Sequence, residues 1–493
     1  MTLSTHEAAG QQWDLVVVGA GTAGIVGART AASLGARVLV VEADRTGGDC
    51  LWTGCVPSKA LLAAAHRVAS ARSAGVFGVH VDGVRVDFAG VMGHVRRSIA
   101  TIEPVDSAEA LEAAGVSVLR GWATLTESSD VEVAGHRLST RQVLLATGSS
   151  PALPDLPGLR AANPWTSDTV WDLEQLPSRL TVVGGGSVGC ELGQAFARLG
   201  ARVTVLEQAP QLLPAEDPDA AAAVAAALRA DGVGVRTGAG LGKVLGTAEN
   251  GTVRTTDGRV VEHDALLVAL GRHPRTRDVG LHQAGVEVDR RGFVRVDRAL
   301  RTSNPRIWAA GDLTGHPQFT HLAGVHASLA ASNAVLGLRR RAETVTVPRV
   351  TYTTPEVAAV GVGVSAAAGS RDLRVVTRWH HEVDRAVVEG DTAGFARLVI
   401  DGKGRVVGAT LVGPRAGESL SELVLAVRQG LRTRDLAGAT HPYPTYADGA
   451  WNAAIADVRA RLGQPAARRA TALLATTRRS WLDLRGWLSG RGR

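Results

Sequence analysis

The sequence predicts an α/β protein in which two glycine-turn strand–helix–strand units are followed by a separate α+β domain. Three observations support this fold class. A short apolar run, a glycine-rich turn and a helical pattern occur at residues 15–42 and again at 180–207. The matching elements of the two copies are separated by one offset of 165 residues. From about residue 344 the apolar runs and turns follow a different arrangement.

The first unit has the features of a dinucleotide-binding turn. Its strand leads into GAGTAG, a helical pattern and a second strand that ends at Glu42. Gly19 allows the tight turn, Gly21 lets a pyrophosphate approach backbone amides, and Gly24 lets helix and strand pack closely. Glu42 can accept hydrogen bonds from a ribose diol. Together these features predict a nucleotide site, which the glycine pattern alone would not.

The second unit repeats the first and predicts a site for a different dinucleotide. Its acid, Glu207, is followed by Gln208, Ala209 and Pro210, with no arginine to receive a 2′-phosphate. This favours NADH over NADPH. The candidate ligand residues are Gly184, Gly186, Gly189, Glu207 and Gly271.

Two strand ends that return the chain to the first domain carry Thr147-Gly148 and Gly271-Arg272. A further strand end carries Gly311-Asp312. A carboxylate at a strand end is well placed to bind a polyol, so Asp312 is a candidate ligand residue. Capping of the following helix is the alternative role for Asp312.

The stretch GGDCLWTGCVPSK places Cys50 and Cys55 at the opening of a helix. In a straight helix their Cα atoms would be roughly 8–9 Å apart, whereas a disulfide needs about 4.4–6.8 Å. The two can pair only if the first turn is distorted, which Gly54 permits and Pro57 accommodates. Such a pair is easily reduced, which favours a redox role. Two inert thiols or half of a metal site are the alternatives, and no metal site is predicted.

The C-terminal region predicts an α+β domain. The predicted strands are 350–361, 395–400 and 406–412, with a turn at 401–404 and a helix over 418–429. Near its end, the proline-containing loop 441–448 carries an imidazole, two tyrosines and a carboxylate.

Charge and composition argue against a nucleic-acid partner for the main body. The net charge is +7, but residues 464–493 hold seven arginines and one acid, so the remainder carries only +1. No apolar run is long enough to span a bilayer, and the first residues lack the features of a signal peptide. Three cysteines fit a reducing compartment, and we expect a cytoplasmic protein.

The tail from residue 463 or 464 has the pattern of a basic amphipathic helix, which predicts contact with a membrane surface or an acidic partner. Packing on its own dimer and disorder are the alternatives. The residues that carry the pattern are Trp481, Leu484, Trp487 and Leu488, with Arg478, Arg479, Arg485, Arg491 and Arg493 around them.

Taken together, GAGTAG, GGDCLWTGCVPSK, ATG, GGGSVGCE, GR and AAGDLTG resemble the class I pyridine nucleotide-disulfide oxidoreductases over roughly residues 12–460. That family includes dihydrolipoamide dehydrogenase, glutathione reductase and mercuric reductase. The resemblance implies Rossmann-like FAD- and NAD-binding domains, a dimerisation domain, and a homodimer whose active sites are completed across the interface. The implied domains are 12–150 and 271–343 for FAD, 151–270 for NAD, 344–462 for dimerisation and 463–493 for the tail.

The resemblance also implies roles for individual residues. Cys55 would stack against the flavin, and Cys50 would exchange with substrate. Lys59 would lie beside the flavin and pair with Glu191, for which a surface salt bridge is the alternative. Residues implied to bind FAD are Gly19, Gly21, Gly24, Glu42, Lys59, Thr147, Gly148, Gly311 and Asp312, the last at the ribityl chain.

The loop 441–448 departs from the family pattern. Tyr443 stands where members that act on disulfides have a catalytic histidine, and Asp448 stands where they have a glutamate. Tyrosine is a poor general base near neutral pH, and His441 could substitute only if the loop is shifted. A tyrosine at this position resembles mercuric reductase. The C-terminal cysteine pair and the amino-terminal metal-binding domain of that enzyme are missing from this sequence, which argues against efficient delivery of mercuric ion. Trp52, where many members have asparagine, could reshape the disulfide face.

Three functions follow from these observations. The first is an enzyme that passes electrons from NADH through FAD to the Cys50–Cys55 disulfide and on to a disulfide or related electrophilic small molecule. The second is an NAD(P)H:quinone or metal-ion reductase that uses the flavin directly, with the cysteines incidental. The third is an NADH-sensing flavoprotein that acts through its tail.

Overall fold

The computed structural model describes the backbone of residues 3–490 and the side chains of residues 3–487. The chain divides into two compact units. One comprises Met1–Val347 with Thr351–Thr353, and the other comprises Pro348–Val350 with Thr354–Arg493.

A seven-stranded sheet forms the base of the first unit. Its central strand is buried on both faces, with Leu15 and Val17 in one core cluster and Val16 and Val18 in another, as expected where helices or loops cover both sides of a parallel sheet. The strand order is Val116–Arg120, Val38–Glu42, Gln12–Val18, His136–Leu145, Val131–Val133 and Ala123–Leu125, and Ile307–Ala309 pairs with His136–Leu145.

A second sheet in this unit is parallel throughout and carries the second glycine turn. Its order is Gly234–Arg236, Arg202–Leu206, Arg179–Val183, Ala265–Val268 and Trp165–Thr166. Two small antiparallel sheets complete the unit: Leu241–Gly246, Gly251–Thr255 and Val260–His263 form one, and Ser149–Pro151 with Arg272–Pro274 form the other.

Helices connect these strands. Those of the first unit are Thr5–Ala9, Thr22–Ser33, Gly48–Trp52, Cys55–Ser73, Phe88–Ile102, Ala108–Ala113, Ser187–Leu199, Pro218–Ala230 and Thr320–Leu336. Short 3-10 turns include Val170–Asp172 and Asp312–Thr314. The helices Thr22–Ser33 and Ser187–Leu199 start 165 residues apart, as the repeat predicts.

The second unit is an α+β domain. Its antiparallel strands lie in the order Glu356–Gly361, Val406–Gly413, Phe395–Asp401 and Leu373–Trp379. Its helices are Val364–Ala368, Asp384–Glu389, Ala416–Gln429, Thr433–Ala437, Asp448–Leu462 and Pro465–Gly490.

The predicted fold class is confirmed, with one correction to the strands. The expected strand at 350–361 is two strands, Arg349–Thr351 and Glu356–Gly361. Thr354-Pro355 lies between them, and proline has no N–H to donate to a ladder. The five residue ranges given above for the domains and the tail remain predictions.

The tail forms a helix, Pro465–Gly490, with exposed apolar side chains that include Leu473, Leu474 and Leu484. The guanidinium of Arg478 lies 4.3 Å from the ring centroid of Trp481. Within residues 3–490, no helix combines the length and the apolar character needed to cross a membrane. Contact with a membrane surface or an acidic partner remains a prediction. The side chain of Leu488 and residues Arg491 and Arg493 lie outside the described residues.

Asp457 ties the helix Asp448–Leu462 to the sheet of the second unit. The carboxylate is 2% exposed. It accepts hydrogen bonds from Arg374 Nε at 2.6 Å and from Thr433 Oγ1 at 2.6 Å. Burial alone raises the pKa of Asp457, but the hydrogen bonds from Arg374 and Thr433 outweigh burial and hold its pKa below the usual 3.8.

We predict that Asp457→Ala lowers the free energy of unfolding by about 2–4 kcal/mol, because it leaves a buried hydroxyl and a guanidinium without their acceptor. Since the folded-state pKa is depressed, this stabilisation is present above the unfolded value and lost as pH falls through the folded value. Urea unfolding of both proteins at pH 7 and below pH 4 measures it. Asp372→Ala, at an exposed site, is the matched control, and equal losses in the two variants would contradict the assignment.

Candidate active site and nucleotide sites

The first glycine turn depends on contacts that a side chain would block. Gly19 has φ +101°, and a Cβ there would lie 2.6 Å from the carbonyl oxygen of Ala146. A Cβ on Gly24 would lie 1.8 Å from the carbonyl oxygen of Gly19. Gly21, which precedes the helix, has only the Cα of Gly48 nearby, at 3.7 Å. The turn is therefore closed toward the sheet and open at the helix N-terminus, where a phosphate can approach.

The second glycine turn has the same geometry. A Cβ on Gly189 would lie 1.8 Å from the carbonyl oxygen of Gly184, which has φ +112°. A Cβ on Gly186 would meet no other described residue within 4 Å, so the backbone there is open. Gly271, with φ +98°, follows the neighbouring strand Ala265–Val268.

The acids at the strand ends are held in the same way in both copies. Glu42 accepts hydrogen bonds from Ala20 N at 2.6 Å and Asp44 N at 2.9 Å. Glu207 accepts them from Gly185 N and Ala209 N, both at 2.7 Å. The donor positions are also related by the offset of 165 residues. Each carboxylate is thus fixed beside its glycine turn and retains lone pairs for a ribose diol.

A cavity of about 440 Å³ lies beside the first turn. Its lining brings together most of the residues predicted to bind FAD: Gly19, Gly21, Glu42, Thr147, Gly148, Gly311 and Asp312. Cys50 also lines it. Gly24 and Lys59 are not among the lining residues, and the close contact at Gly24 gives that glycine a packing role.

The residues of this cavity fit a dinucleotide. Its volume lies within the range of cofactor sites. The hydroxyl oxygen of Thr53, a lining residue, is buried and has no hydrogen-bond partner among the described residues. A buried hydroxyl normally has a partner, so a polar ligand group is the expected one. Open glycine amides, Glu42 and Asp312 supply further donors and acceptors along the cavity.

Asp312 lines the cavity and does not cap the next helix, Thr320–Leu336, which has Phe319 at its N-cap. Gly311 precedes the short 3-10 turn, and Asp312 is its first residue. The Asp312 carboxylate accepts a hydrogen bond from Ser149 Oγ at 2.7 Å, and Ser149 Oγ accepts one from Arg272 Nε at 2.7 Å. Burial raises the pKa of Asp312. The Asp312 carboxylate oxygens can accept hydrogen bonds from the hydroxyl groups of a polyol.

The helix that carries the two cysteines is interrupted between them. One helix, Gly48–Trp52, ends before Thr53, and the next begins at Cys55. A Cβ on Gly54 would lie 2.8 Å from the carbonyl oxygen of Asp49. This break is the predicted distortion, and the two thiols are close enough to hydrogen bond to each other.

The two thiols differ in acidity. The hydrogen bond from Cys50 is the main cause of a lowered pKa at Cys55, and Thr320 and the Lys59 charge lower it further, to about 6. The Thr320 hydroxyl lies 3.2 Å from Cys55 Sγ. The same hydrogen bond and burial raise the pKa of Cys50. These shifts favour the thiolate at Cys55 and the proton at Cys50 in the reduced pair.

Lys59 and Glu191 form a partly buried ion pair. Lys59 Nζ lies 2.9 Å from Glu191 Oε2, and the Glu191 side chain is 6% exposed. Its other oxygen accepts a hydrogen bond from Tyr352 N at 2.9 Å. Lys59 Nζ also lies 4.3 Å from the ring centroid of Tyr352. Burial of the carboxylate distinguishes this pair from an ordinary surface salt bridge.

In the loop 441–448, each candidate acid or base has a local partner. The Tyr443 side chain is exposed, and its hydroxyl donates to Asp384, which raises the pKa of Tyr443. Asp448 is 3% exposed and accepts from Thr445 N at 3.1 Å. The hydrogen bonds of the described residues therefore join Tyr443 to Asp384 and not to Asp448.

His441 is also engaged within its own unit. Its Nε2 lies 2.9 Å from Glu422 Oε1, and its Nδ1 lies 3.1 Å from the carbonyl oxygen of Ala439. The ring stacks on Trp451 with centroids 5.2 Å apart. Because each ring nitrogen faces an acceptor, His441 as placed has no lone pair directed at a substrate.

Several residues near the cysteines were not predicted from the sequence. Thr320 begins the helix Thr320–Leu336 and contacts Cys55. Asp49 forms ion pairs with Arg272 and Arg275. In the sequence, Asp49 stands beside Cys50 and Arg272 follows Gly271, and these two positions were the signal for the ion pairs. Trp52 donates to the Thr46 carbonyl at 2.7 Å.

Cys190 is the third cysteine of the sequence and is not part of the redox pair. Cys190 is buried, and burial raises its pKa to about 12. The described residues contain no group of three or more His, Cys, Asp or Glu that could hold a metal ion.

Two stretches of the chain match models of known protein families. Residues 13–327 match the family described as pyridine nucleotide-disulphide oxidoreductase, and residues 347–454 match its dimerisation domain. A mercuric reductase from Streptomyces lividans is 36% identical, over 88% of this chain and 94% of its own. A dihydrolipoyl dehydrogenase from Thermus scotoductus is 36% identical, over 90% and 97%.

A solved structure shows the same fold. The crystal structure of LpdA from Mycobacterium tuberculosis is similar with a TM-score of 0.82 and 30% sequence identity. The match covers 90% of this chain and 99% of that one.

We predict opposite phenotypes for two alanine substitutions in the second turn. Gly189→Ala places a Cβ against Gly184 and should lower the melting temperature, because the turn must move. Gly186→Ala meets no neighbour among the described residues and should keep the melting temperature, but its methyl group blocks the approach of a pyrophosphate and should weaken NADH binding about tenfold or more. Thermal unfolding and NADH titration of each variant test this. Unchanged NADH affinity in Gly186→Ala would argue against this turn as the nicotinamide-nucleotide site.

Proposed function

Because the chain belongs to the pyridine nucleotide-disulphide oxidoreductase family, we propose roles for its own residues in an FAD-dependent transfer of electrons from NADH to a disulfide. The chain is an FAD-dependent NAD(P)H oxidoreductase. The observation that carries the proposal is the interrupted helix, which brings Cys50 and Cys55 together at the edge of the cavity. The final acceptor is a disulfide or a related electrophilic small molecule.

The first cavity holds FAD, and the second turn holds NADH. When bound, FAD supplies a ring that takes a hydride from the nicotinamide and passes on two electrons. Gly21 leaves room for the pyrophosphate, Glu42 binds the ribose, and Asp312 binds the polyol chain. The cavity around FAD is shaped by Gly19, Gly148, Thr147 and Gly311. The same reasoning assigns Gly184, Gly186, Gly189, Glu207 and Gly271 to NADH.

NADH is the preferred donor because of Glu207. Its carboxylate lies beside the second turn, fixed by two amides. A ribose diol can donate to this carboxylate, whereas a 2′-phosphate would meet a like charge.

The disulfide takes two electrons and one proton, which gives the Cys55 thiolate and the Cys50 thiol. Cys50 then loses its proton and attacks the acceptor disulfide, and the first half of the acceptor leaves as a thiolate that takes up a proton. Cys55 attacks the sulfur of Cys50, which restores the Cys50–Cys55 bond and releases the second half. The acidity of Cys55 supports its assignment as the flavin-side sulfur.

Lys59 supports this cycle by its charge. It lowers the pKa of Cys55, although hydrogen bonds from Cys50 and Thr320 contribute more. Glu191, buried and fixed by Tyr352, orients the lysine.

The dimerisation domain indicates a homodimer. We propose that each disulfide face is completed by the loop 441–448 of the other subunit. The raised pKa of Tyr443 makes it unsuited to act as a base, and we propose that its hydroxyl turns from Asp384 to donate to a leaving thiolate. Asp448 positions the loop through Thr445, and His441 anchors it to Glu422.

One observation favours a second candidate, direct transfer from reduced flavin to a quinone or metal ion with the cysteines incidental. The Tyr443 hydroxyl donates to Asp384, and both ring nitrogens of His441 face acceptors. Reduction of a metal ion needs no proton shuttle, unlike reduction of a disulfide. The mercuric reductases among the relatives fit such an acceptor.

We predict that anaerobic NADH titration produces the long-wavelength absorbance of a thiolate beside the flavin. The band should vanish in Cys55→Ser, because the lower-pKa sulfur is removed, and persist in Cys50→Ser. Absorbance spectroscopy with steady-state rates on lipoamide, small disulfides, mercuric ion and quinones measures both. Flavin reduction without this band in the wild type would refute the dithiol relay. Full quinone turnover in Cys50→Ala, with none on any disulfide, would favour direct transfer.

We predict that the thiolate band of the reduced enzyme has a pH midpoint near the Cys55 pKa of about 6. Lys59→Met should raise this midpoint by about one pH unit, since a nearby opposite charge favours the thiolate. Lys59→Arg keeps the charge and is the matched control. The band is measured from pH 5 to 9, and identical midpoints in wild type and Lys59→Met would count against the role of Lys59.

A further inference from the structure

The short connection between the two cysteine helices is held by a tryptophan from outside them. The carbonyl oxygen of Thr53 accepts a hydrogen bond from Trp171 Nε1 at 2.9 Å. The same indole N–H lies 2.7 Å from the carbonyl oxygen of Ser167. Trp171 belongs to the 3-10 turn Val170–Asp172, which follows the strand Trp165–Thr166 of the second sheet. A segment of the NADH-side sheet therefore contacts the link between Cys50 and Cys55.

The other end of the turn is held by ion pairs. Asp49, the residue before Cys50, pairs with Arg272, and its other oxygen lies 3.4 Å from Arg275 Nη2. Asp168, three residues before Trp171, lies 3.4 Å from Arg272 Nη1. Residues 49 and 53 are thus both fixed, one on each side of Cys50.

Two anchors around one cysteine restrict how far the sulfurs can separate. The oxidised state requires the two Cα atoms to stay within about 4.4–6.8 Å. If the two-residue connection between the helices, residues 53 and 54, were not held, Cys50 could move away from Cys55 once the disulfide opens. Holding the Thr53 carbonyl reduces that freedom and raises the effective concentration of one thiol at the other.

We propose that Trp171 is a positioning residue that holds the Cys50 turn and thereby lowers the reduction potential of the Cys50–Cys55 pair. This inference rests on the proposed function, because it assumes that the pair cycles between dithiol and disulfide. Trp171 acts through its hydrogen bond to the Thr53 carbonyl oxygen.

The test measures the thiol–disulfide equilibrium of the FAD-loaded enzyme, without NADH and without oxygen. The protein is equilibrated with reduced and oxidised dithiothreitol. Closing the protein disulfide opens the cyclic dithiothreitol disulfide, so two electrons pass from the pair to dithiothreitol, which takes up the Cys50 proton and a second proton from the solvent. Acid quenching, alkylation and mass spectrometry count the two thiols, and buried Cys190 is scored as a separate site.

In Trp171→Phe, which keeps a ring but removes the N–H, we expect the equilibrium constant for closing the disulfide to fall fivefold to tenfold. This corresponds to a midpoint about 20–30 mV more positive. Trp171→His, which retains a ring N–H, should recover part of the shift. Trp13→Phe is the matched control, because the buried Trp13 donates its indole N–H to the Ala8 carbonyl at 3.0 Å, outside the redox site.

The outcomes separate this inference from the proposed function. A wild-type enzyme that never forms the Cys50–Cys55 disulfide contradicts the proposed function itself. A normal wild-type couple with an unchanged midpoint in Trp171→Phe overturns only the role of Trp171, as does an equal shift in Trp13→Phe. If Trp171→Phe does not fold, Asp49→Asn releases the opposite anchor and should shift the midpoint in the same direction. No shift there would also overturn the inference.

Discussion

The chemistry of this protein depends on one interruption in a helix. Two sulfurs five positions apart lie too far from each other on an unbroken helix to bond. The chain ends one helix at Trp52 and starts another at Cys55, and Gly54 lies against the Asp49 carbonyl with no space for a side chain. Neighbouring groups then make the two thiols unequal. The hydrogen bond between them, together with Thr320 and Lys59, favours negative charge on Cys55.

The nucleotide sites show how far a duplicated fold keeps its details. Gly24 and Gly189 make the same close contact with the preceding turn, and the two acids accept amide hydrogen bonds at equivalent positions. The copies differ in what surrounds them. The first turn lines a cavity together with Asp312. The Asp312 carboxylate accepts a hydrogen bond from Ser149, whose hydroxyl oxygen accepts one from Arg272. Repeated backbone geometry thus provides two turns that are open at the helix N-terminus, and the side chains around them differ.

Charge around the redox pair comes from residues far apart in sequence. Glu191 is buried and needs the Lys59 ammonium, because an unpaired carboxylate in that position would be costly. Asp49 is compensated by Arg272 and Arg275 in the same way. These pairs join the redox helices to the segments that flank the NADH-side sheet. In the second unit, by contrast, His441 and Tyr443 each have a hydrogen-bond partner within that unit, and a role for this loop in proton transfer remains a proposal.

The sequence by itself determined the elements whose signals are local. Glycine spacing and apolar periodicity predicted both turns, their helices and the acids Glu42 and Glu207, because backbone sterics and helix geometry act over a few residues. The distance between Cys50 and Cys55 likewise required a break near Gly54. Only the tertiary structure decided which groups meet across long separations. Thr320 and Trp171 carry no motif of their own, and the motif Gly271-Arg272 does not reveal that Arg272 meets Asp49. These contacts follow from how the strands order and pack. The partner of Tyr443 was decided in the same way, since a hydrogen bond to Asp384 depends on the folded loop and not on sequence spacing.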